Sequence, residues 1–265
     1  MKDIFSGNDK MKKLITELAE VSGFLWDKGW AERNAGNISV NITGLLSSRE
    51  IEGFNNDSYR SLPANPGTLP DMVFLVTAAG SRMRDAAKNP WDYICILKTD
   101  STGTRFTQWP EKGREPTSEL PTHLAIHEVL HRTHSGYKAV VHAHATELLA
   151  LTQITGFKST EALNRMLWSM HPETMLFVPK GMGFIPYLLP GTSTIALATA
   201  KIFEYHPIAV WEKHGVIAAG NSIGDAFDTI DILSKSAKIY FFVKQAGVEP
   251  EGLNDEQLAE IKRMS

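Results

Sequence analysis

The segment from Ala139 to Thr146 reads Ala-Val-Val-His-Ala-His-Ala-Thr, a β-branched run that carries two histidines one residue apart. β-Branched residues favour strands, and successive side chains of a strand point to opposite faces. His142 and His144 therefore leave the same face of the predicted strand with Cα atoms about 6.5 Å apart, close enough for both rings to bind one cation. On this segment alone, a pair of hydrogen-bonded core histidines is an equally good interpretation.

The chain shows no internal boundary. It has 265 residues, and no Pro/Gly/Ser-rich linker, charge block or internal repeat divides it. This predicts a single domain over residues 1–265. The formal net charge of −3, from 27 basic and 30 acidic residues, provides no basic stripe for a phosphate backbone, so we expect no nucleic-acid partner.

The cysteine count and the amino terminus bear on the compartment. Cys95 is the single cysteine, which excludes an intrachain disulfide and a cysteine-based zinc cluster and fits a reducing compartment. Residues 1–5 lack the apolar core of a signal peptide, and Pro186 and Pro190 interrupt the apolar stretch around Leu188. We expect a cytoplasmic protein with no membrane partner.

Apolar periodicity predicts a chain of mixed helices and strands. Helices are expected over residues 11–30, 120–130, 160–170, 192–205 and 222–246, with a short final helix after Asn254. Strands are expected over residues 38–42, 73–77, 139–146, 174–178 and 208–211, with a hairpin of 93–98 and 104–109 that turns at 100–103.

Two small-residue loops are candidates for binding an anion. Residues 34–37 read Asn-Ala-Gly-Asn, and their backbone and side-chain amides would suit a phosphate. Taken alone this loop is better explained as an ordinary turn, because Asn and Gly favour turns anyway. Residues 78–81 form the second such turn, after a buried strand. The polar region 47–70 predicts a long surface excursion, which is either a functional lid or an insertion.

A glutamate lies where a helix is expected to begin. Thr117 or Ser118 is a good N-cap, and Pro121 suits a first turn, so Glu119 is predicted in the first helical turn. There the helix dipole favours the ionised carboxylate, and free amides can hold an anion beside it. For an isolated Glu, charge complementation of the dipole alone is the simpler explanation.

A second histidine series occupies the same helix. His123, His127 and His131 repeat at intervals of four residues, which raises the question of another metal site. The acidic residue of a His-Glu-x-x-His motif is missing at the general-base position. We therefore interpret this series as a packed or solvated helix face.

His214 is the best candidate for a third ligand beside His142 and His144. It lies between two strand-like apolar segments, and Gly215 allows a close backbone approach. Three histidines without cysteine are typical of a catalytic zinc site, which keeps a coordination position open for substrate. Zinc would act as a Lewis acid, and Glu119 would be available for proton transfer.

These residues together resemble the class II aldolase/adducin family. The resemblance spans residues 14–244, and the combination of segments is specific although no single segment is. The carrying segments are residues 28–37 (KGWAERNAGN), 116–121 (PTSELP), 142–146 (HAHAT) and 211–216 (WEKHGV), with supporting matches at 178–192 and 234–237.

The resemblance implies an α/β fold in which a central, mostly antiparallel sheet lies between helices, assembled as a homotetramer. It also implies one Zn²⁺ per chain on His142, His144 and His214, and Glu119 as the catalytic acid/base of an aldolase that cleaves a sugar phosphate. The implied phosphate ligands are Asn34, Gly36, Asn37, Thr117 and Ser118. Glu173 matches a carboxylate that reaches the site from a neighbouring subunit, although its flanking residues differ.

One departure from the family pattern concerns the turn after Thr77. The family tends to have a serine or glycine-rich turn there, whereas this chain has Ala78-Ala79-Gly80. A phosphate contact at Ala79 would therefore have to come from its backbone amide.

Two other functions stay open at this point. L-Fuculose-phosphate aldolases and pentulose-phosphate 4-epimerases of the same family would share the three histidines, but they are generally shorter, and the excursion over residues 47–70 favours a longer aldolase branch. A non-catalytic head like that of adducin lacks the metal site. The three histidines and Glu119 argue against that function.

Overall fold

The computed structural model describes residues 5–54, 58–62 and 68–264 of the chain. These residues contain ten α-helices and nine strands. The helices are α1 (Asp9–Asp27), α2 (Ser48–Glu52), α3 (Met83–Ala86), α4 (Leu120–Arg132), α5 (Thr146–Leu151), α6 (Thr160–Met170), α7 (Pro172–Phe177), α8 (Ser193–Phe203), α9 (Ile223–Gln245) and α10 (Asp255–Lys262). The strands are β1 (Asn37–Asn41), β2 (Arg60–Ser61), β3 (Val73–Thr77), β4 (Ile94–Thr99), β5 (Arg105–Trp109), β6 (Ala139–Ala143), β7 (Met182–Ile185), β8 (Ile208–Trp211) and β9 (Gly215–Gly220).

All nine strands join one sheet in the order β2-β5-β4-β3-β1-β6-β9-β8-β7. Neighbouring strands run antiparallel except β7 and β8, which are parallel. Strand β6 lies in the interior of the sheet, between β1 and β9, so the histidine-bearing segment is held on both sides. The predicted α/β fold with a mostly antiparallel sheet is confirmed.

Helices cover both faces of this sheet. Val141 and Ala143 of β6 belong to one buried cluster with the apolar faces of α1, α5, α6 and α9, whereas Val140 belongs to a second cluster with α4 and α8. The alternation of side chains along β6 thus supplies both layers, and each buried leucine or valine contributes about 1.5–3 kcal/mol. Ala143 is fully buried, and its small side chain allows close packing on this face.

Most predicted elements are present within a few residues of their expected ends. The hairpin pairs Thr99 with Phe106, and the long helix α9 starts after Ser222, whose side chain accepts from the Asp225 amide. Gly247, with φ of +79°, follows the end of α9, and Asn254 caps α10. These are positions where side-chain capping or a left-handed backbone marks a boundary in the sequence.

The strand predicted over residues 174–178 is wrong, because these residues lie in and just after helix α7. Pro172 occupies the first turn of α7, where its missing N–H leaves no bond unmade. The Thr174 hydroxyl then shares a buried 2.5 Å hydrogen bond with Ser236 of α9. Tertiary contacts thus override the strand preference of the β-branched residues. The sequence analysis also missed β7, which begins five residues after α7 ends.

The excursion over residues 47–70 is only partly a surface feature. Phe54 and Leu69 are buried, and Arg60 and Ser61 add strand β2 to the edge of the sheet. Residues 55–57 and 63–67, on which the lid interpretation partly depended, lie outside the described residues. Within the described ranges, no helix has both the length and the apolar character needed to cross a membrane.

Candidate active site

Two neighbouring strands bring the three predicted ligands together. His142 lies in β6 and pairs with Asn37 of β1 and Ile217 of β9, and His144 follows one residue beyond the strand end. His214 lies in the tight turn between β8 and β9, where Trp211 pairs with Gly215. Lys213 in this turn has φ of +62°, which turns the chain within three residues. Because β6 and β9 are paired, the turn lies beside the end of β6.

The three imidazoles form a nearly equilateral triangle. Ring centroids are 5.2 Å apart for His142–His144, 5.2 Å for His142–His214 and 5.3 Å for His144–His214. One nitrogen of each ring lies within 4.8 Å of the others, so the group could hold one metal ion. The convergence of three rings on one point is what a metal site requires, and a pair of hydrogen-bonded core histidines would not require it.

The outer nitrogens of two rings are already bonded. His142 Nδ1 donates to the Val216 carbonyl oxygen at 2.8 Å, and His144 Nδ1 lies 2.7 Å from a carboxylate oxygen of Glu32. Such bonds fix the tautomer, because a neutral ring that donates through Nδ1 keeps its lone pair on Nε2. His214 Nδ1 is buried with no partner in the described residues.

Burial keeps the central histidine neutral. His142 is 1% exposed, and burial, only partly opposed by the charge of Glu119, lowers the pKa of His142 to about 3. A neutral imidazole is the form that binds a metal. A donor set of three imidazole nitrogens fits a borderline ion such as zinc.

Trp211 orients two of the rings. Its indole lies 4.8 Å from the His142 ring and stacks on His214 at 4.9 Å with an interplanar angle of 22°. The indole N–H donates to Thr199 Oγ1 of α8 at 2.9 Å, which fixes the indole. The sequence analysis quoted Trp211 within a motif and gave it no role.

Gly215 lies so close to β6 that it cannot carry a side chain there. A Cβ at this position would be 2.6 Å from Cε1 of His142 and 2.8 Å from the Ala143 carbonyl oxygen. Real Cβ atoms essentially never come this close to other atoms, so only glycine lets the turn bring His214 beside His142.

Glu119 lies between two of the imidazoles. Its oxygens are 3.4 Å from His142 Nε2 and 3.3 Å from His214 Nε2, and Asn37 Nδ2 donates to Oε2 at 3.0 Å. Burial on its own raises the pKa of Glu119, but the electrostatic interaction with His142 and the hydrogen bonds from His214 and Asn37 outweigh burial and lower the net pKa. The carboxylate is therefore ionised and can accept a proton.

The local position of Glu119 differs from the prediction. Helix α4 starts at Leu120 with Pro121 in its first turn, and Glu119 is itself the N-cap residue, without a side-chain cap. Thr117 and Ser118 lie before the cap, and Thr117 Oγ1 accepts from the Glu119 amide at 3.3 Å. This arrangement frees the carboxylate from capping and directs it toward the histidines.

Most of the predicted site residues line one cleft of about 360 Å³. Its lining includes Glu119, the three histidines and the predicted phosphate ligands Asn34, Gly36, Asn37, Thr117 and Ser118, together with Arg33 and the turn 78–80. Gly36 has φ of +81°, a backbone conformation that favours glycine. The cleft joins the two candidate anion loops to the N-terminus of α4, an arrangement that suits an anion.

The backbone amide of Ala79 does not face the cleft as a free donor. It donates to the Glu115 carbonyl oxygen at 2.7 Å. This amide is therefore not available for the phosphate contact that the sequence analysis considered for Ala79. Gly80 follows with φ of +70°, and its N–H has no acceptor among the described residues. Gly80 is therefore the better donor in this turn.

Glu173 is the predicted residue that this chain does not bring to the cleft. Its carboxylate is half-exposed and lies 3.0 Å from His171 Nε2. It lines a separate cavity of about 830 Å³ with Trp30 and Phe177. Within one chain Glu173 thus lines a different cavity from the histidine group.

The second histidine series is packed, as the sequence analysis interpreted it. His123 and His127 are buried, and His131 is exposed. Both buried rings hydrogen-bond to Ser39 of β1, at 2.7 and 2.8 Å. Their partner could not be read from the helix pattern, because it lies more than 80 residues earlier in the chain.

A three-histidine group that could hold a metal ion lies beside a buried carboxylate, at the end of β6 and the start of β9 in a mostly antiparallel sheet between helices, so the chain is an α/β protein with a candidate metal site. Residues 16–241 match the family model of the Class II Aldolase and Adducin N-terminal domain. The chain belongs to the class II aldolase and adducin family.

Several relatives cover nearly the whole chain. A rhamnulose-1-phosphate aldolase of Bacteroides thetaiotaomicron is 39% identical over 98% of this chain and 97% of its own length. One of Listeria welshimeri is 33% identical over 93% and 90%. Among solved structures, a sugar-phosphate aldolase from Thermotoga maritima superposes with a TM-score of 0.78 at 34% identity, covering 92% of this chain and all of the other.

Proposed function

We propose that this chain is a metal-dependent aldolase that cleaves L-rhamnulose 1-phosphate reversibly to dihydroxyacetone phosphate and L-lactaldehyde. The observation that carries the proposal is the placement of Glu119 within 3.4 Å of two candidate metal ligands, in a cleft that also contains two anion loops. The substrate assignment is supported by relatives of that name at 39% and 33% identity.

In this proposal His142, His144 and His214 hold one Zn²⁺ per chain. When bound, the cation supplies Lewis-acid chemistry by drawing electron density from substrate oxygens. Asn34, Gly36, Asn37, Thr117 and Ser118 bind the phosphate group through amides and hydroxyls. The phosphate fixes the distance from its own binding loops to the carbon atoms that react beside Glu119.

Glu119 moves the proton at C3. In cleavage, a base takes the proton of the C4 hydroxyl, the C3–C4 bond breaks, and L-lactaldehyde leaves. Glu119, which is ionised at the start, takes up one proton, equivalent to the one released from the C4 hydroxyl, and delivers it to C3 of the remaining three-carbon fragment to give dihydroxyacetone phosphate. In synthesis the ionised carboxylate removes that same proton.

The chemistry needs no covalent bond between enzyme and substrate. The residues lining the described cleft include no lysine, the residue that forms a Schiff base with a ketone. Borohydride added during turnover should therefore leave the enzyme unmodified. A protein that gains the mass of a reduced adduct would contradict this mechanism.

A panel of ketose phosphates tests the assignment. Purified protein should release dihydroxyacetone phosphate and an aldehyde from L-rhamnulose 1-phosphate faster than from L-fuculose 1-phosphate, and should not epimerise a pentulose 5-phosphate. Greater activity on L-fuculose 1-phosphate would transfer the proposal to that aldolase, and no release from any ketose 1-phosphate would overturn it.

We further propose that the active form is a homotetramer in which Glu173 of one chain completes the site of its neighbour. The half-exposed carboxylate and its position in a cavity other than the histidine cleft of its own chain support this. Light scattering on active enzyme tests it, and a fully active monomer would contradict it. The single domain and the cytoplasmic location stay predictions.

A further inference from the structure

Behind Glu119, buried polar side chains continue from the cleft into the space between β1 and α4. Glu119 accepts a hydrogen bond from Asn37 Nδ2, and the side-chain oxygen Oδ1 of Asn37 is hydrogen-bonded to His123 Nε2. His123 Nδ1 lies 2.7 Å from Ser39 Oγ, which in turn lies 2.8 Å from His127 Nε2. Ser39, His123 and His127 are between 0 and 3% exposed, so water does not compete for these bonds.

The chemistry of each group fixes the direction of this chain of bonds. A carboxylate only accepts, so Asn37 turns its NH₂ group toward Glu119 and its oxygen toward His123, whose Nε2–H must then donate. A neutral His123 has no second N–H, and its Nδ1 therefore accepts from the Ser39 hydroxyl. Ser39 Oγ then accepts from His127 Nε2–H. Every donor points toward Glu119.

The pKa values agree with neutral rings. Burial lowers the pKa of His123 to about 4, although the charge of Glu119 raises it, and burial together with His123 lowers the pKa of His127 to about 3. Both rings therefore carry one N–H at neutral pH, the state that the directed chain requires.

We propose that Ser39, His123 and His127 are positioning residues that hold the Asn37 amide in the orientation with its NH₂ group on the Glu119 carboxylate. Rotation of the amide by 180° would place its oxygen against the carboxylate and lose the bond from His123. The amide of Asn37 does not readily accept and release protons. The series of hydrogen bonds therefore orients Glu119 and does not supply its protons. Because Asn37 also lines the cleft, the same restraint fixes its second N–H for the substrate. This inference rests on the proposed function.

A pair of substitutions at His123 separates orientation from packing. His123→Leu fills the space without a donor, and His123→Gln can donate to Asn37 and accept from Ser39. We expect His123→Leu to lower kcat for proton exchange at C3 of dihydroxyacetone phosphate by about 10- to 100-fold and to raise KM. His123→Gln should recover most of both. Loss of folded protein would lower the apparent kcat with KM unchanged, which would contradict the proposal.

The decisive measurement is a double-mutant cycle with Asn37→Ala. If His123 acts through Asn37, His123→Leu should have little further effect on kcat and KM once Asn37 is alanine. Independent, multiplying losses would overturn the proposal. If His123→Leu does not fold, Ser39→Ala can replace it in the same cycle, because Ser39→Ala also interrupts the series of hydrogen bonds.

His131→Gln is the matched control. His131 lies one turn further along α4, is exposed, and has no bond to Ser39. The His131→Gln variant should have the same kcat, KM and metal content as wild type. If wild-type protein shows neither exchange nor cleavage, the proposed function fails. If wild type is active and His123→Leu behaves like His131→Gln, the positioning role alone fails.

Discussion

Two groups of histidines are linked to Glu119, one directly and one through Asn37, and they differ in whether Nε2 of the ring is left for a ligand. In the group of His142 and His144, Nδ1 is occupied by the Val216 carbonyl and the Glu32 carboxylate, and Nε2 remains for a ligand. In the pair of His123 and His127, Nε2 is occupied by Asn37 and Ser39. The same side chain is thus suited to a metal or to a buried network by its hydrogen-bond partners, and not by its spacing along the chain.

The largest expected effect is loss of a ligand from the first group. His142→Ala, His144→Ala and His214→Ala should each lose metal and lower aldol cleavage by about four orders of magnitude, because a Lewis acid contributes several kcal/mol. Metal analysis of the purified variants checks this against His127→Ala, which should keep its metal. Full metal content in all three ligand variants would show that the site is misplaced.

Substitution of the residue between the two groups should have the next largest effect. Glu119→Gln keeps the shape and removes the base, so turnover should fall by about two to four orders of magnitude. Metal content should not change. Proton exchange at C3 of dihydroxyacetone phosphate isolates this step without an aldehyde, and an unchanged exchange rate would mean that another group is the base.

A smaller effect is expected from the outer partner of His144. Glu32→Gln removes the charge that holds Nδ1, and metal affinity should fall by about 10- to 100-fold. Competition with a chromophoric chelator measures this directly. Glu161→Gln, at an exposed position on α6, is the control and should bind metal like wild type. Equal affinities for the two variants would remove Glu32 from the site.

The smallest effect concerns stability as a function of pH in the second group. The folded-state pKa values of about 4 for His123 and about 3 for His127 lie below the ordinary 6.5, so the unfolded chain binds more protons between these values. The stabilisation from the neutral rings is complete above pH 6.5 and is lost as pH falls toward 3. Each ring contributes up to about 1.4 kcal/mol per pH unit.

Denaturant unfolding in the presence of a chelator, from pH 4.5 to 7.5, checks this slope. His127→Phe should flatten the increase in free energy of unfolding with pH relative to wild type, and His131→Gln should not. A variant slope equal to that of wild type would mean that the pKa of His127 is not lowered in the folded protein.

The strength of the local signals decided which elements could be predicted. The hairpin around residues 100–103 and the caps at Ser222 and Asn254 depend on nearby residues, and they were predicted correctly. Helix α7 was missed because Thr174 and Val178 favour a strand locally, while the bond from Thr174 to Ser236 joins positions 62 residues apart. A short segment with tertiary partners does not carry its own signal.

In the candidate site too, residues with a local sequence signal could be predicted and residues with distant partners could not. The ligand spacing in β6 and the glycine after His214 indicated three residues of the site from the chain alone. The roles of Glu32 and Ser39 could not be predicted, because their partners His144 and His123 lie 112 and 84 residues away. Only the fold brings these pairs into contact.

Gly215 has a consequence for engineering this protein. A library that aims to change the substrate range would naturally randomise positions near the cleft, yet every side chain at 215 would collide with the ring of His142. Position 215 should therefore be kept fixed in such a library, although a glycine has no functional group to lose.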